Sequence, residues 1–221
     1  MIIKRIVKHF GELIKKAEEN IREKMDNGLL DTESSITDRF LEGIESVFDE
    51  YGKRNGIYFR ARSLRDRGPN APEKKFGADF CGVLDVRLRE LELSKGFLVQ
   101  AKRESGEMCV NRGGTTGVTF RLPEHNRIRA QTEKMLAISP DSFIIVYGKS
   151  AFVVIPALSL EGFGGCRAQL HGKRVGRFFE EFITCFIGDP RLNAHDDQTL
   201  EELRERTRAR SAILFQISDR K

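Results

Sequence analysis

The sequence predicts an α/β domain, with a mixed central sheet flanked by helices and extra helices at both ends. Three observations lead there. Two amphipathic helical periods open the chain, three strand candidates follow in succession, and a further helix precedes two strands joined by a tight turn. The size agrees: 221 residues, 39% of them apolar, suffice for one core of ordinary dimensions.

Residues 2 to 25 carry Ile3, Ile6, Val7, Phe10, Leu13, Ile14, Ala17, Ile21 and Met25 at helical spacing, with a charged opposite face. "DNG" ends this helix, and Gly28 suits a C-terminal cap. Its apolar stripe can pack on its own domain or serve a dimer; the first use is the simpler. A second helix runs from about Thr32 to Tyr51, with Ile36, Phe40, Leu41, Ile44, Val47 and Phe48 on one stripe. Glu33 projects onto the middle of that stripe, Glu45 lies at its edge and Glu42 points away. A carboxylate there either complements the helix N-terminus or serves a site.

The strand candidates are "GIYFRAR" (56 to 62), "GADFCGVLDVRL" (77 to 88) and "GFLVQAKR" (96 to 103). The linker "SLRDRGPNAPEKKF" is basic and rich in turn formers, and residues 104 to 121, with "NRGGTTG", read as a mobile loop. A helix fits "EHNRIRAQTEKMLAI", between Pro123 and Pro140. "SFIIVY" and "AFVVIP" flank the turn Gly148-Lys149-Ser150. "VGRFFEEFITCFIGDP" predicts a helix with a continuous apolar face from Val175 to Ile187, Phe186 included, stopped by Gly188 and Pro190. Its phenylalanines read as core. Thr199 and Glu202 predict a capping box for a short basic helix, and "AILFQI" closes the chain as a candidate strand. The organisation is one domain: an N-terminal helix (1–30), a core (31–157) and a C-terminal helical extension (158–221).

Composition narrows function. A net charge of +5 and a pI of about 9.1 favour anionic partners: nucleic acid, phosphorylated ligands or acidic membrane. No apolar run is long enough to span a bilayer, and "MIIKRIVKHF" is charged throughout, unlike a secretory signal. Cys81, Cys109, Cys166 and Cys185 lack C-x-x-C spacing, so zinc and redox motifs are unsupported and reduced cytoplasmic thiols are expected. His9, His125, His171 and His195 are scattered. "YGKS" has Phe143 where a phosphate loop needs glycine, and "GFGG" is followed by Arg167 where a dinucleotide fingerprint needs glycine. Tryptophan is absent and tyrosine scarce, which weakens recognition by base stacking.

The stretch "FLVQAKR" carries chemistry. In a strand, alternate residues share a face, so Leu98, Gln100 and Lys102 point to one side and Phe97, Val99 and Ala101 to the other. An apolar strand that ends by presenting an amide and an ammonium together either forms a solvated edge or serves a site. The preceding strand begins with an acid, Asp79, in "GADF". An acid on one strand, then polar residue, spacer and lysine on the next, resembles the PD-(D/E)xK, or restriction-endonuclease-like, nuclease superfamily. With Gln100 at the second position, the match is to the Q-x-K variant found among Mrr-like and related prokaryotic defence nucleases. The resemblance spans roughly residues 33 to 156, in the order helix, three strands, helix, strand.

The resemblance implies a Mg²⁺-dependent DNA endonuclease in restriction or anti-phage defence, with Mn²⁺ as an alternative metal. It implies Asp79 as main metal ligand, with Glu33, Gln100 and the carbonyl of Ala101 as further ligands, and Lys102 as the group that orients or deprotonates the attacking water. Glutamine in place of glutamate removes one negative charge from the site. Asp85 has the same strand parity as Asp79 and rivals it. Glu45 and Glu73 are reserves for the extra carboxylate, and Gln131 is a polar candidate on the following helix. Arg60, Arg62, Arg65, Arg67, Lys74, Lys75, Arg103 and Arg112 are candidate DNA contacts. The alternative is a non-catalytic DNA-binding or assembly subunit that keeps the fold. A homo-oligomer or a defence-system partner protein fits either reading; a membrane does not.

Overall fold

The computed structural model describes residues 2–65, 78–104, 108–110, 115–160 and 167–219. Glu73, Arg67, Lys74, Lys75 and Arg112 lie outside them. Helices α1 (Ile2–Asp26) and α2 (Glu33–Tyr51) are followed by strands β1 (Lys53–Arg54), β2 (Ile57–Arg65), β3 (Ala78–Leu88) and β4 (Leu91–Arg103). A hairpin of β5 (Met108–Val110) and β6 (Thr115–Arg121) leads into α3 (Leu122–Leu136), β7 (Ser142–Tyr147) and β8 (Phe152–Pro156). A 3₁₀ turn (Ala157–Leu160), β9 (Arg167–Arg174), α4 (Val175–Ile183), α5 (Asp197–Thr207) and β10 (Ala209–Ser218) complete the chain.

The described strands form one mixed sheet in the order β1-β2-β10-β3-β4-β7-β8-β9-β6-β5. Strand parity sorts the side chains into two layers. Phe80, Leu84, Phe97, Val99, Ile145, Ile213 and Phe215 face α1, α2 and α4 in the larger core. Cys81, Val83, Leu98, Ala212 and Leu214 face the other way, with Met135 of α3 and Leu200 and Leu203 of α5. Helix α1 packs on its own domain: Phe10 is fully buried against Phe48, Phe179 and Phe215 at ring distances of 5.1 to 5.9 Å. No helix among the described residues is long and apolar enough to cross a membrane.

The chain order helix, three strands, helix, strand is present as α2, β2, β3, β4, α3 and β7, with β4 and β7 parallel as a crossover through α3 requires. Four expectations change. The loop expected over 104 to 121 contains β5 and β6. The C-terminal segment is no helical extension, because β10 lies inside the sheet, antiparallel to β2 and parallel to β3. Helix α4 stops at Ile183, since Cys185 takes a left-handed φ of 66°, and Phe186 is 82% exposed rather than core. The capping box of α5 is formed by Asp196 with Thr199 at its third position.

Candidate functional site

The site forms where the β3–β4 ladder opens. These strands pair from Leu88↔Leu91 to Phe80↔Val99, and the next residues, Asp79 and Gln100, leave the register. Asp79 takes over the bonding. Its Oδ2 accepts the Ala101 backbone N–H at 2.7 Å and a side-chain N–H of Gln100. Oδ1 carries no hydrogen bond among the described residues, so one carboxylate oxygen is fixed and the other is left over. Strand β4 runs on to Arg103, held by β7 from Leu98↔Ser142 to Arg103↔Tyr147. Support by β7 keeps Gln100 and Lys102 rigid beyond the point where β3 lets go.

Glu33 arrives from another element. It is the first residue of α2, fixed by Thr32, whose hydroxyl accepts the Ser35 N–H at 3.1 Å. A relay anchors the same turn: the Tyr147 hydroxyl lies 3.0 Å from Thr37 Oγ1, which donates to the Glu33 carbonyl at 2.8 Å. The Glu33 carboxylate thereby meets Lys102 Nζ at 3.3 Å and accepts the Arg103 backbone N–H at 3.2 Å. Lys102 is 2% exposed and Gln100 3%, whereas Glu33 opens to solvent. Helix and strand therefore bring four of the expected residues, Asp79, Gln100, Lys102 and Glu33, to one place, with the Ala101 backbone among them.

Arg210 was not anticipated. The register Ala209↔Ala78 and Ser211↔Phe80 sets it beside Asp79. Its guanidinium meets the Asp38 carboxylate at 3.1 and 3.2 Å and reaches the Ser34 carbonyl at 3.4 Å. It lies on β10 and not on the basic helix before it, because α5 ends at Thr207 and Arg208 turns left-handed with a φ of 54°. The alternation in "ARSAILFQI" was the available signal.

Burial pushes the Asp79 carboxyl above its ordinary range, and Glu33 adds to the rise. The Ala101 N–H and the charges of Lys102 and Arg210 oppose it. Burial likewise raises the Tyr147 hydroxyl, which keeps it a proton donor. Two cations, Lys102 and Arg210, face three carboxylates, Asp79, Glu33 and Asp38. The cluster therefore suits an added positive charge.

The remaining candidates scatter. Asp85 lies six residues along β3 from Asp79, about 20 Å at strand rise. It pairs with Ser94 in register and bonds His195, so it does not join Gln100 and Lys102. Glu45 is about 18 Å along α2 from Glu33 at helical rise and accepts the Ser63 hydroxyl at 2.7 Å. Gln131 sits half-buried on α3, between Ile128 and Met135, with its Oε1 unpartnered. Its neighbour Met135 packs with Leu98, on the side of the sheet that Gln100 and Lys102 share. Arg60 pairs with Gln216, opposite Asp85, and so is remote from Asp79. The Arg62 guanidinium is 3.8 Å from Glu45, that of Arg65 is engaged by Glu42, and that of Arg103 donates to the Asp31 carbonyl at 2.6 Å.

Fold and site together define an α/β protein whose central strands end in an acid–amide–lysine cluster. Comparison with protein-family models, curated proteins and solved structures finds no match.

Proposed function

We propose that this protein is a metal-dependent DNA endonuclease of the restriction-endonuclease-like kind, acting in restriction or anti-phage defence. One observation carries the reading. Residues from β3, β4 and α2 that have no common local role converge at the opened ladder as Asp79, Gln100, Lys102 and Glu33. Lys102 is 2% exposed and its partner Glu33 is half-open to solvent, so the pair still carries a desolvation cost, which favours a use over an accident of packing.

The donors fit Mg²⁺. This ion takes oxygen ligands and commonly one or two carboxylates with several waters. Asp79 Oδ1 and Glu33 supply two carboxylates, and the Gln100 amide oxygen and Ala101 carbonyl supply neutral oxygens. The ion would polarise the phosphate and acidify an attacking water. The protein's own groups do the positioning: Lys102 orients the water and offsets phosphate charge, while Asp38 holds Arg210 beside Asp79 as a second cation for the anionic backbone.

Incubation with plasmid in Mg²⁺, and in chelator, tests the reading. Lys102→Ala and Asp79→Ala should each lose at least about 100-fold in cleavage rate, the usual scale for removing a proton-transfer or ligand group, with unchanged circular dichroism. Wild-type rates in either variant would end the site assignment. The second reading, a non-catalytic DNA-binding subunit, is favoured by the self-satisfied state of the cluster, in which Glu33 already neutralises Lys102. DNA bound but uncut by the wild type in Mg²⁺ and Mn²⁺ would select it.

A further inference from the structure

At the far end of the same strands lies a second polar construction. Strands β2, β10 and β3 bring two cross-strand rows together: Arg60, Gln216 and Asp85 in one, Tyr58, Ser218 and Arg87 in the next. On the opposite face this end of the strands is apolar, with Phe59, Phe215, Ile217, Leu84 and Val86 in the core. Upstream on the polar face, Val83, Ala212 and Leu214 are covered by α5. Alternation thus changes from apolar to polar where that helical cover ends, and the polar rows, with Lys53 and Arg89 and the carboxylates Asp49, Glu92 and Asp219, line a cavity of about 710 Å³, within the range of small-ligand sites.

Asp85 marks this cavity as built. It is 3% exposed. His195 Nδ1 lies 2.8 Å from its Oδ1 and fixes that oxygen. Oδ2 is buried without a hydrogen-bond partner, since Arg87 Nε, 3.0 Å away, is not aligned to donate. A buried acceptor without a donor is costly, and Asp85 is among the residues that line the cavity. Among the described residues Arg60 has no ion-pair partner, so its fork of donors is open for an anion.

We propose that this cavity binds a small phosphorylated ligand of nucleotide size. Its phosphate meets Arg60 and Arg87, and an N–H or O–H of its other half donates to Asp85 Oδ2. The site is separate from Asp79 and independent of the nuclease reading. The four ribonucleoside monophosphates, one nucleoside and inorganic phosphate serve as probes in calorimetric titration and amide chemical-shift mapping of the full chain. At least one monophosphate should bind, shifting amides at the ends of β2, β3 and β10, and should do so at least tenfold more tightly than nucleoside or phosphate alone. Arg60→Ala, at an exposed position, and Asp85→Asn should each weaken it at least tenfold. The proposal is overturned if no monophosphate binds, if phosphate alone binds as tightly, or if folded Arg60→Ala binds as the wild type does.

Discussion

Asp79 is held at a cost that can be measured. Its folded pKa is raised, chiefly by burial. The native state therefore binds the proton more tightly than the unfolded chain, so stability is lost as pH rises from the unfolded value through the folded one. Asp79→Asn keeps an oxygen for the Ala101 and Gln100 N–H groups and removes the charge. Its melting temperature in chelator should exceed the wild type's at pH 7 to 8, and the gain should shrink towards pH 4. A gain that does not vary with pH would contradict this account. Gln100→Glu acts oppositely. It replaces the N–H donor to Asp79 by a second carboxylate, and like charges at contact cannot both ionise freely. In chelator this variant should melt about 2–4 °C lower, as expected for roughly 1 kcal/mol in a domain of this size. Mg²⁺ should restore the loss and preserve or raise cleavage; failure of Mg²⁺ to restore it would remove Gln100 from the metal's neighbourhood. Much of this cluster was legible beforehand. The two-residue period of "FLVQAKR" put Gln100 and Lys102 on one face, and the stripe of α2 singled out Glu33. Arg210 and the Asp85–His195 pair were not legible, because their partners lie 110 or more residues away in sequence and no local period reports such pairings.

Strand β4 joins core and site. Phe97 lies flat over Gly82, its partner in register, and is ringed by Phe182 at 4.8 Å, Phe178 at 5.1 Å and Phe179 at 5.8 Å. A Cβ at position 82 would stand 2.4 Å from Phe97 Cζ. Gly82→Ala must therefore displace a ring that six-membered neighbours hold on several sides. It should cost about 3 kcal/mol, a fall of roughly 6–12 °C in melting temperature; a thermal melt within 2 °C or so of the wild type would show that the ring moves freely. The same strand shows what pattern alone can and cannot give. Periodicity located β2, β3, β4, β7 and β8 to within a few residues. It could not say that "AILFQI" belongs between β2 and β3, because strand order is set by tertiary packing, and a hydrophobic alternation fits any vacant edge.

The molecule carries a net charge of +5, but its arginines are unequally available. Arg65 is spent on Glu42, and Arg60 belongs to the far end of the sheet. Arg62 and Arg103 remain exposed. If DNA approaches the opened ladder, binding should be strongly salt-dependent, each phosphate contact adding about −0.9 to the slope of log K against log salt. In a Lys102→Ala background, which under the proposed function should bind without cutting, the double variant Arg62→Ala, Arg103→Ala should flatten that slope by roughly two units. Fluorescence anisotropy across a salt series reads this directly, and an unchanged slope would place the DNA path elsewhere.

The position of β10 has a consequence for how the protein is born. Strand β10 follows every other described strand in sequence yet separates β2 from β3, so on the ribosome these two halves of the sheet cannot meet in their final order until those strands have been made. Arg210 travels with that strand, so the cluster around Asp79 lacks its second cation until β10 is in place. If that cluster is the nuclease site proposed above, folding delivers it only once β10 is free to insert between strands made long before it.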